Sequence, residues 1–492
     1  MIGWATNGRN RGGIKVASAL VACGLFVVGL AQDLHATAPA AGRAAATYVS
    51  YIASTGGALT STSHFTLSSH RDATIPAFAR KYNMACSACH TAWPELNAFG
   101  QRFKDRGYQL GNERDSPIWQ NPSYIPLAFR TTPGWRMDRA TNQVTLADPA
   151  GGTTLSTSGF DIGGADFLML GTLYKDVTFG FVPTFANDAG VGIETAFVRL
   201  DNLFNSSWMN LKVGKFELDN LLSEKRIVTL SSGGGFYQAY HFLPVGSVNN
   251  FGLGDNQIGA EIMGHDATSY RRFSVAVLNQ EDGVPGLGTS KGYDFNVTAS
   301  QAFDAGALGV MRVGVFGYFG QRPTTFNFAS DTSPIAGSGT NGKSFSRIGL
   351  TGNFSLHNLE LLPVVLHATE NSALSDGSWS QNASWNSFLL EAHYFVNPQM
   401  MFMGRGDFLR MSKQGDPAIP KTQGNTDAIT VGVRYYPIMF SRAGLAWHTE
   451  LSFGRSIGVT PMNGIGNTVD APVAPGTVVR TTSLLTALDF DF

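Results

Sequence analysis

From about residue 125 to the C-terminus, the sequence alternates apolar and polar residues with a period of two. Residues 347–354, RIGLTGNF, and residues 430–435, TVGVRY, each present two different faces, which is the pattern of β-strands between two environments. Many such segments have about 9 to 13 residues, the length that a tilted strand needs to cross an outer membrane. The alternation therefore predicts a large β-structure that spans a membrane with strands.

The pattern predicts a mainly β protein in which residues 125–492 form an outer-membrane barrel of about 16 antiparallel strands. The candidate strands span residues 125–137, 159–173, 176–184, 190–200, 208–216, 257–264, 270–279, 291–303, 309–319, 344–354, 358–369, 384–395, 400–411, 425–436, 444–455 and 478–492. Tight connections such as 397–399 alternate with long ones such as 330–343, 413–424 and 456–477, as in outer-membrane barrels. The soluble alternatives are a secreted β-sandwich and a lipocalin-like barrel.

The C-terminal residues support the membrane alternative. Leu488, Phe490 and Phe492 share one face, and Asp489 and Asp491 share the other, which resembles the signal read by the outer-membrane barrel insertion machinery. Charged residues make up only 14% of the chain, against about 25% in soluble domains. With 35 basic and 36 acidic residues, the chain has no positive excess that would attract nucleic acid. We expect contact with outer-membrane lipid and none with nucleic acid.

The first residues have the organisation of an export signal. Arg9, Arg11 and Lys15 precede an apolar run over residues 16–31, and an A-x-A cleavage site ends at Ala38. Residues 1–38 are therefore predicted to be a cleaved signal peptide, followed by a flexible segment over 39–71. The alternative is a lipoprotein signal that ends at Cys23. The apolar run continues past this cysteine, which favours the ordinary cleavage.

Residues 86–90, CSACH, form the C-x-x-C-H pattern of covalent c-type haem attachment. Each of Cys86 and Cys89 can add to one haem vinyl group, and His90 then lies under the iron as its proximal ligand. The chain has only three cysteines, and cleavage after residue 38 would leave only these two. We therefore predict one covalently attached haem c. The alternatives are an exported disulfide and a redox C-x-x-C motif that happens to precede a histidine.

The haem motif is predicted to lie between two short helices in residues 72–124. Pro76 is well placed at a helix start, and Pro94 is predicted to open the second helix. Leu96, Phe99, Gly100 and Phe103 then form one stripe at helical spacing, and Gly107 is a predicted C-cap. A segment this small buries little core alone. We therefore hypothesise that it folds into the barrel lumen as a plug, where aromatic side chains can pack on the porphyrin.

The sequence leaves the other metal ligands open. The candidates for the distal haem ligand are Met137, placed at a predicted strand end, Met84, His64 and His70. A methionine would raise the haem potential. Asp138 and Glu194 are the carboxylates considered as the oxygen ligands of a metal entry site. For each of these residues, ordinary packing or a solvated surface is the competing interpretation.

Residues 76–108 carry a resemblance to a known family. The matching positions are Pro76, Phe78, Ala79, Tyr82, Cys86, Cys89, His90, Pro94, Leu96, Asn97, Phe99, Gly100, Phe103, Gly107 and Tyr108. They resemble the signature of the fused outer-membrane monohaem cytochrome c–porin family of iron-oxidising bacteria, and the barrel is similar in architecture only. The resemblance implies an Fe(II):cytochrome c oxidoreductase that oxidises extracellular Fe(II). Electrons would pass through one haem to periplasmic cytochromes or other carriers.

Two other functions are compatible with the same residues. An outward-directed cytochrome conduit would reduce an extracellular acceptor, because residues alone do not set the direction of electron flow. A passive porin would carry a structural haem or none. The haem content and the haem potential distinguish these alternatives.

Overall fold

A computed structural model divides the chain into two units, Met1–Asp72 and Ala73–Phe492, of which the second is described below. The structure describes residues 77–82, 84, 86–92, 95–110, 119, 124–143, 152–185, 191–219, 238–249, 251–280, 283–284, 292–326, 334–336, 342–439, 444–458 and 475–491. All of them belong to the second unit. The predicted export signal, the segment 39–71 and the candidate ligands His64 and His70 lie outside the described residues.

Residues 77–110, which we call the helical segment, precede the barrel. Its elements are α1 (Ala77–Tyr82), a 3-10 turn (Cys86–Ala88), β1 (His90–Ala92), β2 (Glu95–Leu96) and α2 (Ala98–Asp105). β1 and β2 pair antiparallel, with His90 opposite Leu96. Two short helices therefore flank the cysteine motif.

The barrel begins at Leu127, three residues after the predicted end of the haem segment at position 124. Its long strands are β3 (Leu127–Gln143), β4 (Thr153–Tyr174), β5 (Val177–Phe185), β6 (Val191–Leu200), β7 (Asn210–Phe216), β8 (Gln257–His265), β9 (Arg271–Leu278), β10 (Asp294–Asp304), β11 (Val310–Phe326), β13 (Gly342–Leu356), β14 (Leu359–Glu370), β15 (Ala383–Asn397), β16 (Met400–Lys413), β17 (Thr426–Met439), β18 (Gly444–Ile457) and β19 (Val478–Asp491). A short strand, β12 (Pro334–Ala336), pairs with the far end of β11. The connections contain helix α3 (Gln238–His241) and 3-10 turns at Leu203–Asn205 and Gly306–Leu308.

The sixteen long strands close into one antiparallel barrel. Each strand pairs with its neighbour in sequence, and β19 pairs back onto β3, with Thr486 opposite Trp135. Closure leaves no unpaired sheet edge, which is the condition for a sheet to stand in lipid. The predicted strand number is confirmed, and the closed single sheet contradicts the β-sandwich alternative.

The two faces of the barrel have opposite character. Along β15, the buried side chains of Leu389 and Glu391 alternate with the exposed side chains of Phe388 and Tyr394. Exposed apolar side chains recur around the outer face: Val315, Ile348, Leu350, Val365, Phe402, Ile429, Val431, Trp447, Phe453 and Leu488. Buried charged side chains recur on the inner face: Glu261, Arg272, Asp294, Arg347, Glu391, Arg405, Asp407, Arg434 and Glu450. This apolar-out, polar-in arrangement is that of a transmembrane barrel, and it contradicts the lipocalin-like alternative, whose interior is apolar.

One apolar cluster lies inside the barrel. It includes Leu218, Tyr240, Phe242, Phe251 and Leu253 from the connection between β7 and β8, together with inward-facing side chains of the strands. The ring of Phe251 lies 4.1 Å from that of Tyr318 and 5.0 Å from that of Phe345, and Phe242 lies 5.3 Å from Trp385. Phe242 and Phe251 of this connection therefore lie in the barrel interior beside β11, β13 and β15.

The connections differ at the two ends of the barrel. Only two residues separate β13 from β14, and two separate β15 from β16. At the opposite end, residues 371–382 and 414–425 join the next pairs of strands. The start of β3 lies at the short-turn end, since Arg130 pairs with Asp491 at the end of β19. Among the described residues, no helix has both the length and the hydropathy needed to span a membrane.

Candidate functional site

The C-x-x-C-H motif forms a compact turn at the start of the helical segment. Its first cysteine opens the 3-10 turn, Cys89 follows in a tight turn, and His90 begins β1. Cys89 and His90 are half-buried, whereas the side chain of Cys86 lies outside the described residues.

Asn97 holds this turn against α2. Its side-chain amide donates hydrogen bonds to the carbonyl oxygens of Ser87 (3.3 Å) and Ala88 (3.1 Å), and its backbone N–H donates to Cys89 O (3.0 Å). Its side-chain oxygen accepts from the backbone N–H of Gly100 at 2.9 Å, which makes Asn97 the N-cap of α2. The prediction that Pro94 opens this helix is wrong, because residues 95–96 form a strand and the asparagine caps the helix three positions after the proline.

We expect Gly100→Ala to displace the cysteine turn from α2. A Cβ at this position would lie 2.0 Å from the carbonyl oxygen of Cys89, so the backbone of the motif would have to move. Overpacking of this kind costs about 1–3 kcal/mol, and hydrogen exchange of the amides in residues 86–100 would measure the loss of protection. Gly159→Ala is the matched control, since no atom lies within 4 Å of its Cβ position. Equal protection in the two variants would contradict the close packing.

The ring of His90 is oriented by the backbone of Glu95. His90 Nδ1 lies 3.2 Å from Glu95 O, so the proton on Nδ1 can be donated to this carbonyl. The hydrogen bond leaves Nε2 with its lone pair, which is the form in which histidine binds a metal. The geometry of His90 therefore fits the role of an axial haem ligand.

Aromatic side chains pack together between α1 and the end of α2. The ring of Phe103 lies 5.0 Å from Phe78, 5.7 Å from Tyr82 and 6.1 Å from Tyr108, each time edge to face. Gly107 ends α2 with a φ of 76°, and the N–H of Tyr108 donates to Phe103 O, as in a glycine C-cap. The predicted C-cap is confirmed. Phe78 and Phe103, predicted to pack near a porphyrin, contact other aromatic side chains.

The C-terminal end of α2 is anchored by buried charges on the barrel wall. Asp105 accepts hydrogen bonds from Arg272 on β9, from Nε at 2.8 Å and from Nη2 at 3.0 Å. The same guanidinium donates to Asp219 at 2.8 Å. Burial raises the pKa of Asp105, but the charges of Arg272 and His265 outweigh burial and hold this pKa below its usual value. The helical segment is therefore joined to the inner face by a charged aspartate.

A second arginine binds the same helix end. Arg199 on β6 donates to Lys104 O at 3.0 Å and to Asp105 O at 3.3 Å, so it satisfies carbonyls at the C-terminus of α2. Its own charge is balanced by Asp201 at 2.6 Å. Thr172 donates to Gly107 O at 2.9 Å, which adds a contact from β4. The contacts from β4, β6 and β9 all lie near the short-turn end of the barrel.

A buried carboxylate–histidine cluster joins the other side of the helical segment to the wall. It consists of Glu95 on β2, Glu360 on β14 and His393 on β15, whose donor atoms lie within 4.8 Å of one another. Glu360 and His393 are direct partners in the strand pairing. Burial, and then the neighbouring charge of Glu360, raise the pKa of Glu95 well above its usual range. Two buried carboxylates whose oxygens lie within 4.8 Å of each other require a proton or a cation between them.

The structure separates the predicted distal ligands. β3 continues to Gln143, so the prediction that Met137 ends a strand is wrong. Asp138 and Ala140 are buried on the inner face, and the alternation turns Met137 to the other face, away from the helical segment. Met84 lies two residues before the cysteine turn and is half-buried. Two methionines that the sequence did not single out, Met401 and Met403, are buried on the inner face of β16.

The two carboxylates considered for iron have ordinary partners. Asp138 is buried and forms an ion pair with Arg136 at 2.5 Å. Glu194 is half-buried and accepts a hydrogen bond from Thr184 at 3.2 Å. The structure brings neither of them to the cluster around His393. The cluster residues were missed because Glu95 and His393 are about 300 positions apart, and the one available signal was a charged residue at an inward position of a predicted strand.

The comparisons with known proteins match the barrel. No protein-family model matches the chain, and no curated protein matches it. An anion-selective porin from Comamonas acidovorans is similar at 12% identity and a TM-score of 0.48, over 74% of this chain and 99% of that one. The trimer form of OmpT, an outer-membrane protein of Vibrio cholerae, is similar at 10% identity and a TM-score of 0.45, over 74% of this chain and 99% of that one. OmpF of Salmonella typhi, in complex with daunomycin, is similar at 10% identity and a TM-score of 0.44, over 74% of this chain and 97% of that one.

Identities and TM-scores this low assign neither a family nor a function. The class of protein is defined by the structure itself, through its closed sixteen-strand sheet and its apolar outer face. The chain forms a porin-like transmembrane β-barrel with a small helical segment held against its inner wall.

Proposed function

We propose that this chain is an outer-membrane c-type cytochrome fused to a porin barrel, which oxidises extracellular Fe(II) and passes electrons to periplasmic carriers. One observation carries the proposal: the CSACH turn is packed on α2, and α2 is bonded to inward-facing Arg272 and Arg199 of the barrel. A covalent haem motif and a membrane-crossing barrel are thereby combined in one unit. The family resemblance of residues 76–108 supports the same function.

One haem c would be held by Cys86 and Cys89 through thioether links and by His90 at the iron. A bound haem supplies one-electron chemistry at potentials that the axial ligands tune. The remaining residues keep this site in place. Asn97 holds the turn, and Glu95 orients the His90 ring through its carbonyl.

The location of the helical segment suits electron transfer across the membrane. An electron has to cross a hydrocarbon layer of about 25–30 Å, and a redox group inside the barrel divides this distance. We therefore propose that residues 72–124 form a plug, with the described contacts of residues 95–110 as support. Fe(II) would give up its electron outside the cell, where ferric products precipitate without harm.

The end with the short turns would face the periplasm, as in other outer-membrane barrels. The export signal over residues 1–38 would direct the chain to this compartment and would be removed. The helical segment contacts strands near the short-turn end, so it would lie close to periplasmic electron carriers.

Passive diffusion is the second candidate function. The polar inner face of the barrel is that of a porin, and the barrel alone favours this function over electron transfer. The connection between β7 and β8 and the helical segment both occupy part of the interior, which would narrow a channel. Conductance of the purified protein in planar bilayers, together with its haem content, separates the two functions.

A spectroelectrochemical titration of the purified full-length protein, followed by mixing with Fe(II), tests the proposal. We expect a Soret band with one haem per chain, a potential at or above that of the iron couple, and rapid reduction by Fe(II). A potential well below the iron couple would favour the outward-directed conduit. A protein without a Soret band but with large conductance would be a passive porin.

A further inference from the structure

The cluster of Glu95, Glu360 and His393 contains three donor atoms that point at one another. They are Oε2 of each glutamate and Nδ1 of the histidine, all buried and without a hydrogen-bond partner in the described structure. The residues are 3%, 4% and 0% exposed, respectively. Buried polar atoms are almost always satisfied in folded proteins. Three unsatisfied atoms in one place therefore indicate a missing partner shared by all three.

The distances match the spacing of metal ligands. His393 Nδ1 lies 3.2 Å from Glu95 Oε2 and 3.6 Å from Glu360 Oε2. The contact of Nδ1 with Glu360 is too long for a hydrogen bond, and its contact with Glu95 is longer than the roughly 2.7–2.9 Å of charge-assisted hydrogen bonds. Nitrogen and oxygen ligands at about 2.0–2.2 Å from one ion lie roughly 3.0–3.6 Å apart in tetrahedral or octahedral geometry.

The outer atoms of the same residues are held in the way that metal ligands usually are. His393 Nε2 lies 2.7 Å from Glu391 Oε1, so a proton on Nε2 can be donated to this carboxylate while Nδ1 faces the cluster. Asn353 donates to Glu95 Oε1 at 3.1 Å and to Glu360 Oε1 at 2.8 Å, so one amide orients both carboxylates. A carboxylate behind a metal-bound histidine and hydrogen bonds behind metal-bound carboxylates are the usual outer partners of such sites.

The charge of the cluster calls for a divalent cation. Glu391 lies directly opposite Arg405 in the strand pairing, which offsets its charge. Glu95 and Glu360 then present two carboxylates to Nδ1 of His393. A dication would neutralise both of them, and a mixed set of imidazole and carboxylate ligands suits first-row transition metals better than Ca²⁺ or Mg²⁺.

We propose that Glu95, Glu360 and His393 bind one divalent first-row transition-metal ion, which fastens the helical segment to the barrel wall. The first ligand comes from the helical segment and the other two come from β14 and β15. The backbone of Glu95 also accepts the hydrogen bond of His90. The ion would therefore fix the residue that orients the proposed haem ligand. This site goes beyond the proposed function, because it requires neither haem nor iron oxidation.

Zinc is the probe that tests the site. Full-length protein in detergent is stripped with a chelator, equilibrated with Zn(II) and desalted, and its zinc is counted by mass spectrometry. We expect one zinc per chain in the wild type. Glu360→Gln should weaken binding by roughly 100-fold or more, since even an outer partner of a metal ligand contributes about 10–100-fold. Zinc is also expected to slow proteolysis of residues 77–110 in the wild type.

Glu450→Gln is the matched control. Glu450 is a buried glutamate paired with His448, two residues away on β18, just as Glu391 is paired with His393. This variant should keep its zinc. Heat-modifiable gel mobility verifies that each barrel is folded. If Glu360→Gln does not fold, Asn353→Ala replaces it, and this variant is expected to weaken zinc binding about 10–100-fold.

Three outcomes would overturn the proposal. They are a wild type without stoichiometric zinc, equal zinc in Glu360→Gln and the wild type, and displacement of zinc by excess Ca(II). In the first case, the cluster is an ion-pair network held by protons. The haem titration decides the proposed function separately, since zinc and haem iron are different elements and either result can fail alone.

Discussion

Replacement of both Cys86 and Cys89 by serine is expected to abolish the covalently bound haem. The thiol sulfurs form the thioether links, and a serine hydroxyl does not add to a haem vinyl group in their place. His90 alone would hold haem only through the iron, so the group would dissociate on denaturation. We expect the haem-stained band to disappear after denaturing electrophoresis and the Soret absorbance of the purified protein to fall by roughly tenfold or more.

Cys23→Ser is the matched control for this experiment. It changes the chain's remaining cysteine, which lies within the predicted signal peptide. The mature protein should keep its full haem stain and its Soret band. A wild type that never stains for haem would contradict the cytochrome assignment. A double variant that stains like the wild type would place the attachment elsewhere.

Arg272→Met is expected to release the helical segment from the barrel wall. Arg272 is buried between Asp105 and Asp219, and its removal would leave two buried carboxylates without their shared cation. Breaking a buried ion pair in this way costs about 3–5 kcal/mol. Opening of the segment should then become more frequent by at least about 100-fold, since each 1.4 kcal/mol corresponds to a factor of about ten. Limited proteolysis between residues 77 and 126 would measure this change.

Arg410→Met is the control for charge removal. Arg410 pairs with Asp427, but these side chains are 50% and 35% exposed. Exposed pairs contribute about 0–1 kcal/mol, so proteolysis of the helical segment should remain as in the wild type. Equal cleavage rates in the Arg272 and Arg410 variants would contradict the anchoring role of Arg272.

The same anchor has a defined dependence on pH. The pKa of Asp105 is lower in the folded protein than in the unfolded chain. Its ionic contribution is therefore fully present above the ordinary carboxyl pKa, and it is lost as the pH falls through the lower folded value. The share of the protection that Arg272 provides, measured as the difference in proteolysis between the wild type and Arg272→Met, should persist through mildly acidic pH and disappear only below the normal range of aspartate.

Local patterns predicted much of this structure. The period-two alternation located each of the sixteen barrel strands, because a strand between lipid and a polar lumen must change face at every residue. Gly107 was recognised as a helix end, since its positive φ suits glycine. The start of α2 was missed because the capping asparagine bonds to carbonyls of the cysteine turn, a contact that proline statistics do not describe.

The face of a residue near a strand end was harder to predict than the strand itself. Met137 was assigned to a strand end, but β3 runs six residues further, and the alternation turns its side chain away from the inner face. Wall residues that hold the helical segment, such as Arg272 and His393, were not identified. Their positions in predicted strands were known, but their partners lie far away in the sequence.

The order of the residues by itself determined the haem motif, the strands and the division between apolar and polar faces. These features depend on neighbours within about ten positions, and short-range periodicity records them directly. Only the tertiary structure decided which inward-facing side chains meet the helical segment. Closing the barrel sets the register of sixteen strands at once, and that closure places Glu360 and His393 beside Glu95 and Arg272 beside Asp105.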